Sequence, residues 1–111
     1  LIGGSGEKKT LRLVAQYADA CNIMGDPEMI RHKVDVLERH CADVGRDPSE
    51  IEVSVMFRNF APDASADDIV AAAEAYREVG VDTLVVGATG DDPAAWLEDT
   101  FGPIIDRIGA L

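Results

Sequence analysis

Short apolar runs alternate with helical patterns four times along the chain, and this alternation constrains the fold more than any other feature. Each run is followed by a segment in which apolar residues recur every three or four positions, the spacing of an amphipathic helix. The predicted strands are residues 1–2, 20–24, 51–57 and 83–86. Strands joined by helices run parallel, so the pattern predicts an α/β fold with a parallel sheet. The fourth run is continuously apolar, which predicts burial on both faces.

Local signals place the helix ends. An aspartate before a proline provides an N-cap and a suitable first helical residue, and a serine followed three residues later by an acid resembles a capping box. The predicted start signals are Asp26-Pro27, Ser65 with Asp68, and Asp92-Pro93. Gly45 and Gly80 are placed to end the second and third helices, and Gly102-Pro103 is expected to kink the last one.

The number of units predicts half of a closed barrel. Four βα units in 111 residues are close to half of the roughly 250 residues and eight units of a TIM (β/α)₈ barrel. A four-stranded piece leaves two sheet edges open and its inner face uncovered. We therefore expect either a missing half or a second copy, as in a homo-oligomer, to cover them. The chain begins at Leu1, inside an apolar run, which favours a missing front portion.

The amino-acid composition limits the kinds of partner that the chain is expected to bind. Ten basic against twenty-one acidic residues give a formal net charge of -11. This charge repels phosphate backbones and anionic lipid, so neither nucleic acid nor membrane is an expected partner. Cys21 and Cys41 have no metal-ligand spacing and lie among apolar neighbours, which predicts buried free thiols in a reduced, cytoplasmic protein. No His, Cys or carboxylate spacing predicts a metal site.

The segment with the clearest chemistry is glycine-rich and lies where the first strand ends. Gly3, Gly4, Ser5 and Gly6 lead into a helix, and Lys8 and Lys9 follow in its expected first turn. Glycine lets a phosphate approach the backbone closely, and the first turn of a helix has unpaired N–H donors. Two lysines there oppose the helix dipole unless an anion binds. The alternative is a tight βα turn with exposed lysines.

Residues 1–22, LIGGSGEKKTLRLVAQYADACN, resemble the signature stretch of luciferase-like oxidoreductases, especially those that use the deazaflavin coenzyme F420. Residues 33–41 and 44–48 continue the resemblance. It implies that residues 1–111 are the C-terminal half of a TIM barrel whose N-terminal half is absent, and that Gly3, Gly4, Ser5 and Gly6 hold the cofactor phosphate. It also implies hydride transfer to or from a small organic substrate, with catalytic residues mostly on the absent strands. The isolated chain is therefore expected to be inactive.

Two other functions stay open. A relative that uses FMN would be a monooxygenase, and a non-catalytic half-barrel or truncated fragment would only bind a phosphorylated ligand. Arg58, just past the third strand, is a candidate contact for an anion. His32 and His40 are interpreted as surface residues, and Trp96 with Phe101 as packing residues. The glycines at 87 and 90 are interpreted as part of a loop, because the two aspartates after them repel an anion.

Overall fold

The computed structural model describes residues 1–57 and 63–111. The strands are β1 (Ile2–Gly3), β2 (Ala20–Ile23), β3 (Glu52–Phe57) and β4 (Thr83–Val86). The helices are α1 (Thr10–Tyr17), α2 (Pro27–Val44), α3 (Ala66–Glu78), α4 (Pro93–Trp96) and α5 (Ile105–Gly109). All pairings are parallel, in the order β1-β2-β3-β4. The predicted parallel α/β fold is confirmed, whereas Arg58 lies outside the described residues.

The predicted helix starts are confirmed by their hydrogen bonds. Asp26 caps α2, its carboxylate accepting from the Met29 N–H at 2.8 Å. Ser65 and Asp68 form both bonds of the capping box at the start of α3. Gly45 ends α2 with φ at +72°, a left-handed conformation that glycine adopts at little cost. The polar residues at these ends therefore fix where each helix begins and stops.

Replacing Asp26 with alanine is expected to lower the free energy of unfolding by about 1 kcal/mol, because one N-terminal donor of α2 loses its acceptor. Chemical denaturation followed by circular dichroism measures this change. Asp35→Ala is the matched control, since Asp35 is exposed on the same helix and its side chain makes no hydrogen bond within the described residues. Equal losses in the two variants would contradict the assigned cap.

The core lies between the sheet and helices on one of its faces. Crossovers between neighbouring parallel strands are right-handed, so strands in sequential order place every connecting helix on the same side. The buried strand residues facing that side are Cys21, Ile23, Val53, Val55 and Phe57. The helices bury Leu11, Val14, Ile30, Leu37, Ile69 and Tyr76 against them. Tyr76 also donates its hydroxyl hydrogen to the Gly25 carbonyl at 2.9 Å, which ties α3 to the β2–α2 turn.

The opposite face of the sheet carries no helix among the described residues. The register of the strands places Asn22, Ser54 and Thr83 side by side on this face. Asn22 Nδ2 donates to Ser54 Oγ at 2.9 Å. The prediction that the fourth strand is buried on both faces was wrong, because Val85 is 44% exposed on this side. A sequential parallel sheet with helices outside and an uncovered inside is half of a (β/α)₈ barrel.

The last helical segment is broken, as the glycine-proline pair predicts. A π-helical turn at Leu97–Phe101 and a 3₁₀ turn at Gly102–Ile104 separate α4 from α5. Pro103 has no N–H to continue the helical bonding. The rings of Trp96 and Phe101 stack with centroids 5.6 Å apart, and both pack against the core as expected. Within the described ranges, no helix combines the length and apolar character needed to cross a membrane.

Candidate functional site

The glycine-rich turn spans residues 3–9, between the carboxyl end of β1 and the start of α1. The Gly4 N–H donates to the Asn22 carbonyl at 3.1 Å, which fixes the start of the turn to β2. The Leu11 N–H reaches back to the Gly6 carbonyl at 2.9 Å, a wider loop than an α-helical bond closes. The helix consequently begins only at Thr10, with Lys9 as its N-cap. The prediction that both lysines lie in the first helical turn was therefore wrong, since they precede it.

The turn contains backbone N–H donors without acceptors and lysines without acidic partners among the described residues. The backbone N–H groups of residues 5–10 make no hydrogen bond to any other described residue. No side chain caps the start of α1, and its first turn contains no acid. Lys8 and Lys9 are exposed, and neither forms an ion pair within residues 1–57 and 63–111. Unpaired donors beside uncompensated cations are the elements of an anion-binding site.

Two of the three glycines are needed for the shape of the turn. Gly4 has φ at +123°, and a Cβ there would lie 3.2 Å from Thr10 Cγ2. A Cβ at Gly6 would lie 2.9 Å from Thr10 Oγ1. Gly3, by contrast, faces open space. The Thr10 side chain thus packs against the turn and is a further residue of the candidate site, one that the sequence alone did not indicate. A hydroxyl residue that opens a helix after a glycine-rich turn was the available signal.

Helix α2 holds the turn from behind. Lys33 Nζ donates to the Ser5 carbonyl at 2.9 Å, and His40 Nε2 donates to the Glu7 carbonyl at 2.5 Å. His32 Nε2 contacts the Glu7 carboxylate at 2.5 Å. The interpretation of His40 as a surface residue was wrong, because it is half-buried against the turn. Lys33 and His40 are seven residues apart, close to two helical turns, so both can reach the same loop from one face.

The negative charge of Glu7 is compensated locally. The hydrogen bond from His32, together with the charge of Lys33 at 3.6 Å, holds the pKa of the Glu7 carboxyl below its ordinary value of 4.5. Glu7 is therefore ionised at neutral pH and is directed at α2. Lys8 and Lys9, by contrast, have no acidic partner among the described residues.

The lowered pKa of Glu7 makes the stability of the fold depend on pH. Because the folded-state pKa lies below 4.5, the ionised carboxylate stabilises the fold above that pH. This contribution is lost as pH falls through the lowered folded-state pKa. The melting temperature of Glu7→Gln is therefore expected to lie below that of the native chain at pH 7, with the difference vanishing in acid.

The matched control is Glu74→Gln, since Glu74 is exposed on α3 and forms no ion pair among the described residues. Thermal melts of all three proteins from pH 7 to pH 3 provide the measurement. A constant difference between Glu7→Gln and the native chain across this range would exclude the ion pair as the cause.

The two cysteines are structural, as the sequence analysis predicts. Both are buried and free. Burial raises the pKa of the Cys21 thiol to about 11, and it also raises the pKa of Cys41. A thiol that stays protonated at neutral pH is a poor nucleophile. The adjacency of Cys41 to His40 therefore provides no catalytic pair.

The second glycine-containing turn has a different role. Residues 87–92 connect β4 to α4, and the Asp92 carboxylate caps that helix by accepting from the Ala95 N–H at 3.0 Å. The helix N-terminus therefore already has an anionic partner from its own chain. This agrees with its interpretation as a loop that leads into the last helix.

Comparison with known proteins supports the fold. No protein-family model and no curated protein sequence matches the chain. A solved structure, an F420-dependent secondary alcohol dehydrogenase in complex with an F420-acetone adduct, superposes with a TM-score of 0.80 at 15% sequence identity. The match covers 96% of this chain and 47% of that chain. The chain thus spans about half the length of its structural neighbour and shares the fold of that half.

Proposed function

We propose that this chain is the C-terminal, cofactor-phosphate-binding portion of an F420-dependent oxidoreductase. The observation that carries the proposal is the set of unpaired N–H groups of residues 5–10 beside Lys8 and Lys9. They lie at the carboxyl end of a barrel strand, where enzymes of this architecture build their sites. The structural neighbour is described as F420-dependent, which supports the deazaflavin as the ligand.

The backbone donors dominate the binding of a phosphate at this turn. A hydrogen bond to a charged group contributes about 1.5–3 kcal/mol, whereas the dipole of α1 adds only about 0.3–1 kcal/mol. Glycine at positions 3, 4 and 6 leaves the backbone accessible. Ser5 and Thr10 add hydroxyl groups, and Lys8 and Lys9 add charge. The turn anchors the cofactor by its phosphate, and this is the role of the chain in the reaction.

The bound deazaflavin would supply hydride transfer to or from a small organic substrate. The side chains that contact its ring and the substrate belong to the other half of the barrel. The other half of the barrel covers the sheet face that bears Asn22, Ser54 and Val85. The structural neighbour is about twice as long as this chain, which supports a single longer chain that contains both halves. A second copy of this chain is the other candidate cover. The two buried free thiols support a reducing, cytoplasmic location.

The test is a fluorescence titration of the chain with F420 and, separately, with FMN. Riboflavin is the matched control ligand, because it is FMN without the phosphate. Saturable binding of F420, weakened by inorganic phosphate, is the expected result. Saturable binding of FMN in its place, at least tenfold tighter than riboflavin, would assign the chain to the flavin-dependent monooxygenases.

Two further outcomes would contradict the proposal. No saturable binding of either cofactor would show that the turn is not a competent phosphate site in this chain, leaving a structural half-barrel. Binding of inorganic phosphate without either cofactor would favour a non-catalytic half-barrel that holds some other phosphorylated ligand.

A further inference from the structure

We infer that Lys33 and His40 are positioning residues, which orient two peptide planes of the glycine-rich turn so that the N–H groups of Gly6 and Lys8 face a bound phosphate. This inference rests on the proposed function, because it explains how that site is held ready. Neither residue is assigned a contact with the ligand. Each acts on the backbone of the turn through a carbonyl oxygen.

Peptide geometry connects the two helix side chains to the two donors. In a trans peptide the C=O and the following N–H lie in one plane and point in opposite directions. The described residues contain no cis peptide. The Ser5 carbonyl is drawn toward α2 by Lys33, so the Gly6 N–H points away from α2. In the same way, the His40 bond to the Glu7 carbonyl turns the Lys8 N–H away from α2.

The two donors are consequently directed to the same side of the turn. Gly6 and Lys8 are two residues apart in the loop, and the N–H groups of both point away from α2. Their N–H groups have no partner in the described chain. Successive backbone N–H groups held on one side of a loop form a concave anion site. Without the bonds from α2, the flexible Ser5–Gly6 plane is free to rotate and to withdraw its donor.

His40 is suited to this role by its surroundings. A carbonyl oxygen only accepts, so His40 Nε2 carries the hydrogen of the bond to Glu7. The other ring nitrogen, Nδ1, is buried and has no partner within residues 1–57 and 63–111. The ring is therefore held as a donor to the turn, and Cys41 and Leu37, both buried beside it on α2, fix the helix in place.

Lys33 acts on the turn mainly through its hydrogen bond to the Ser5 carbonyl, and its charge is paired with Glu7. Its Nζ lies 2.9 Å from the Ser5 carbonyl and 3.6 Å from the Glu7 carboxylate, and its side chain is only 16% exposed. Its charge is compensated by Glu7, unlike those of Lys8 and Lys9. A phosphate therefore meets the two exposed lysines, while Lys33 holds the carbonyl behind them.

The test follows backbone amides by ¹H–¹⁵N NMR while the chain is titrated with inorganic phosphate. In the native chain, the amide signals of Gly6 and Lys8 are expected to shift downfield on binding. In His40→Leu, which has no donor, the Lys8 shift is expected to shrink and the phosphate Kd to rise about tenfold. His40→Gln places an amide donor near the position of Nε2 and is expected to restore both values to within about threefold.

Lys33 is tested in the same way. Lys33→Met is expected to reduce the Gly6 shift selectively, and Lys33→Arg to restore it. The salt dependence of phosphate binding is expected to be unchanged in Lys33→Met. It is expected to become shallower in Lys8→Met, because the anion meets the charge of Lys8, whereas the charge of Lys33 is compensated by Glu7.

The outcomes separate this inference from the proposed function. Phosphate could shift the amide signals of Gly6 and Lys8 by the same amounts in His40→Leu and Lys33→Met as in the native chain. This result would overturn the positioning role and leave the phosphate site in place. If His40→Gln fails to restore the Lys8 shift while its melting temperature equals that of the native chain, the hydrogen bond is not the cause. If phosphate shifts no amide of residues 5–10 in the native chain, both the site and its positioning residues are rejected.

Discussion

Gly4→Val is expected to weaken cofactor binding at least about 100-fold, measured by fluorescence titration. Gly4 has φ at +123°, and the new side chain would meet Thr10 Cγ2, 3.2 Å from its Cβ. The turn must then rearrange, and its donors no longer converge on one phosphate. Losing two charge-assisted bonds of about 1.5–3 kcal/mol each accounts for at least 100-fold, since each 1.4 kcal/mol is tenfold.

Gly45→Val is the matched control for backbone strain. Gly45 also has a positive φ, +72°, and open space around its Cβ position, but it lies at the far end of α2. Both variants are expected to lose roughly 1–3 kcal/mol of stability through strain. Only Gly4→Val is expected to lose binding. Equal affinities in the two folded variants would remove the turn from the cofactor site.

Ile23→Ala is expected to lower the free energy of unfolding by about 2–5 kcal/mol, the largest stability effect that we predict. Ile23 is fully buried in β2, opposite Val55 of β3, and packs in the core beneath the helices. Removing its outer carbons loses transfer free energy and leaves a cavity that the surrounding strands cannot close. A loss of this size is a large fraction of the 5–15 kcal/mol typical of a domain.

Ile105→Ala removes the same atoms from an exposed position. Ile105 on α5 is 56% exposed, so its replacement is expected to change stability by less than about 0.5 kcal/mol. Urea denaturation of both variants is the measurement. A loss below 1 kcal/mol for Ile23→Ala would show that the core between β2 and the helices is loosely packed.

The sequence predicted those features that depend on neighbouring residues. Asp26 and Ser65 cap helices because a short polar side chain can reach an N–H two or three residues ahead, and no distant residue is needed. The strand-helix alternation predicted the parallel sheet for a similar reason, since a helix between two strands requires a crossover. The glycine-rich turn was located by its composition.

Features that depend on distant residues were missed or mistaken. His40 and Lys33 contact the turn over separations of about thirty residues, which no local pattern reports. The exposure of Val85 follows from which face of the sheet the helices cover. The start of α1 at Thr10 depends on the backbone bond from Leu11 to Gly6. The role of Arg58 stays a prediction, because it lies outside the described residues.

The assignment of the glycine-rich turn as the cofactor-phosphate site is tested most directly by a crystal structure of the chain with F420 bound. The cofactor phosphate is expected within hydrogen-bonding distance of the N–H groups of Gly6 and Lys8, with Lys8 or Lys9 beside it. A phosphate bound elsewhere, such as at the turn of residues 87–90, with the N–H groups of residues 5–10 left in solvent, would contradict it.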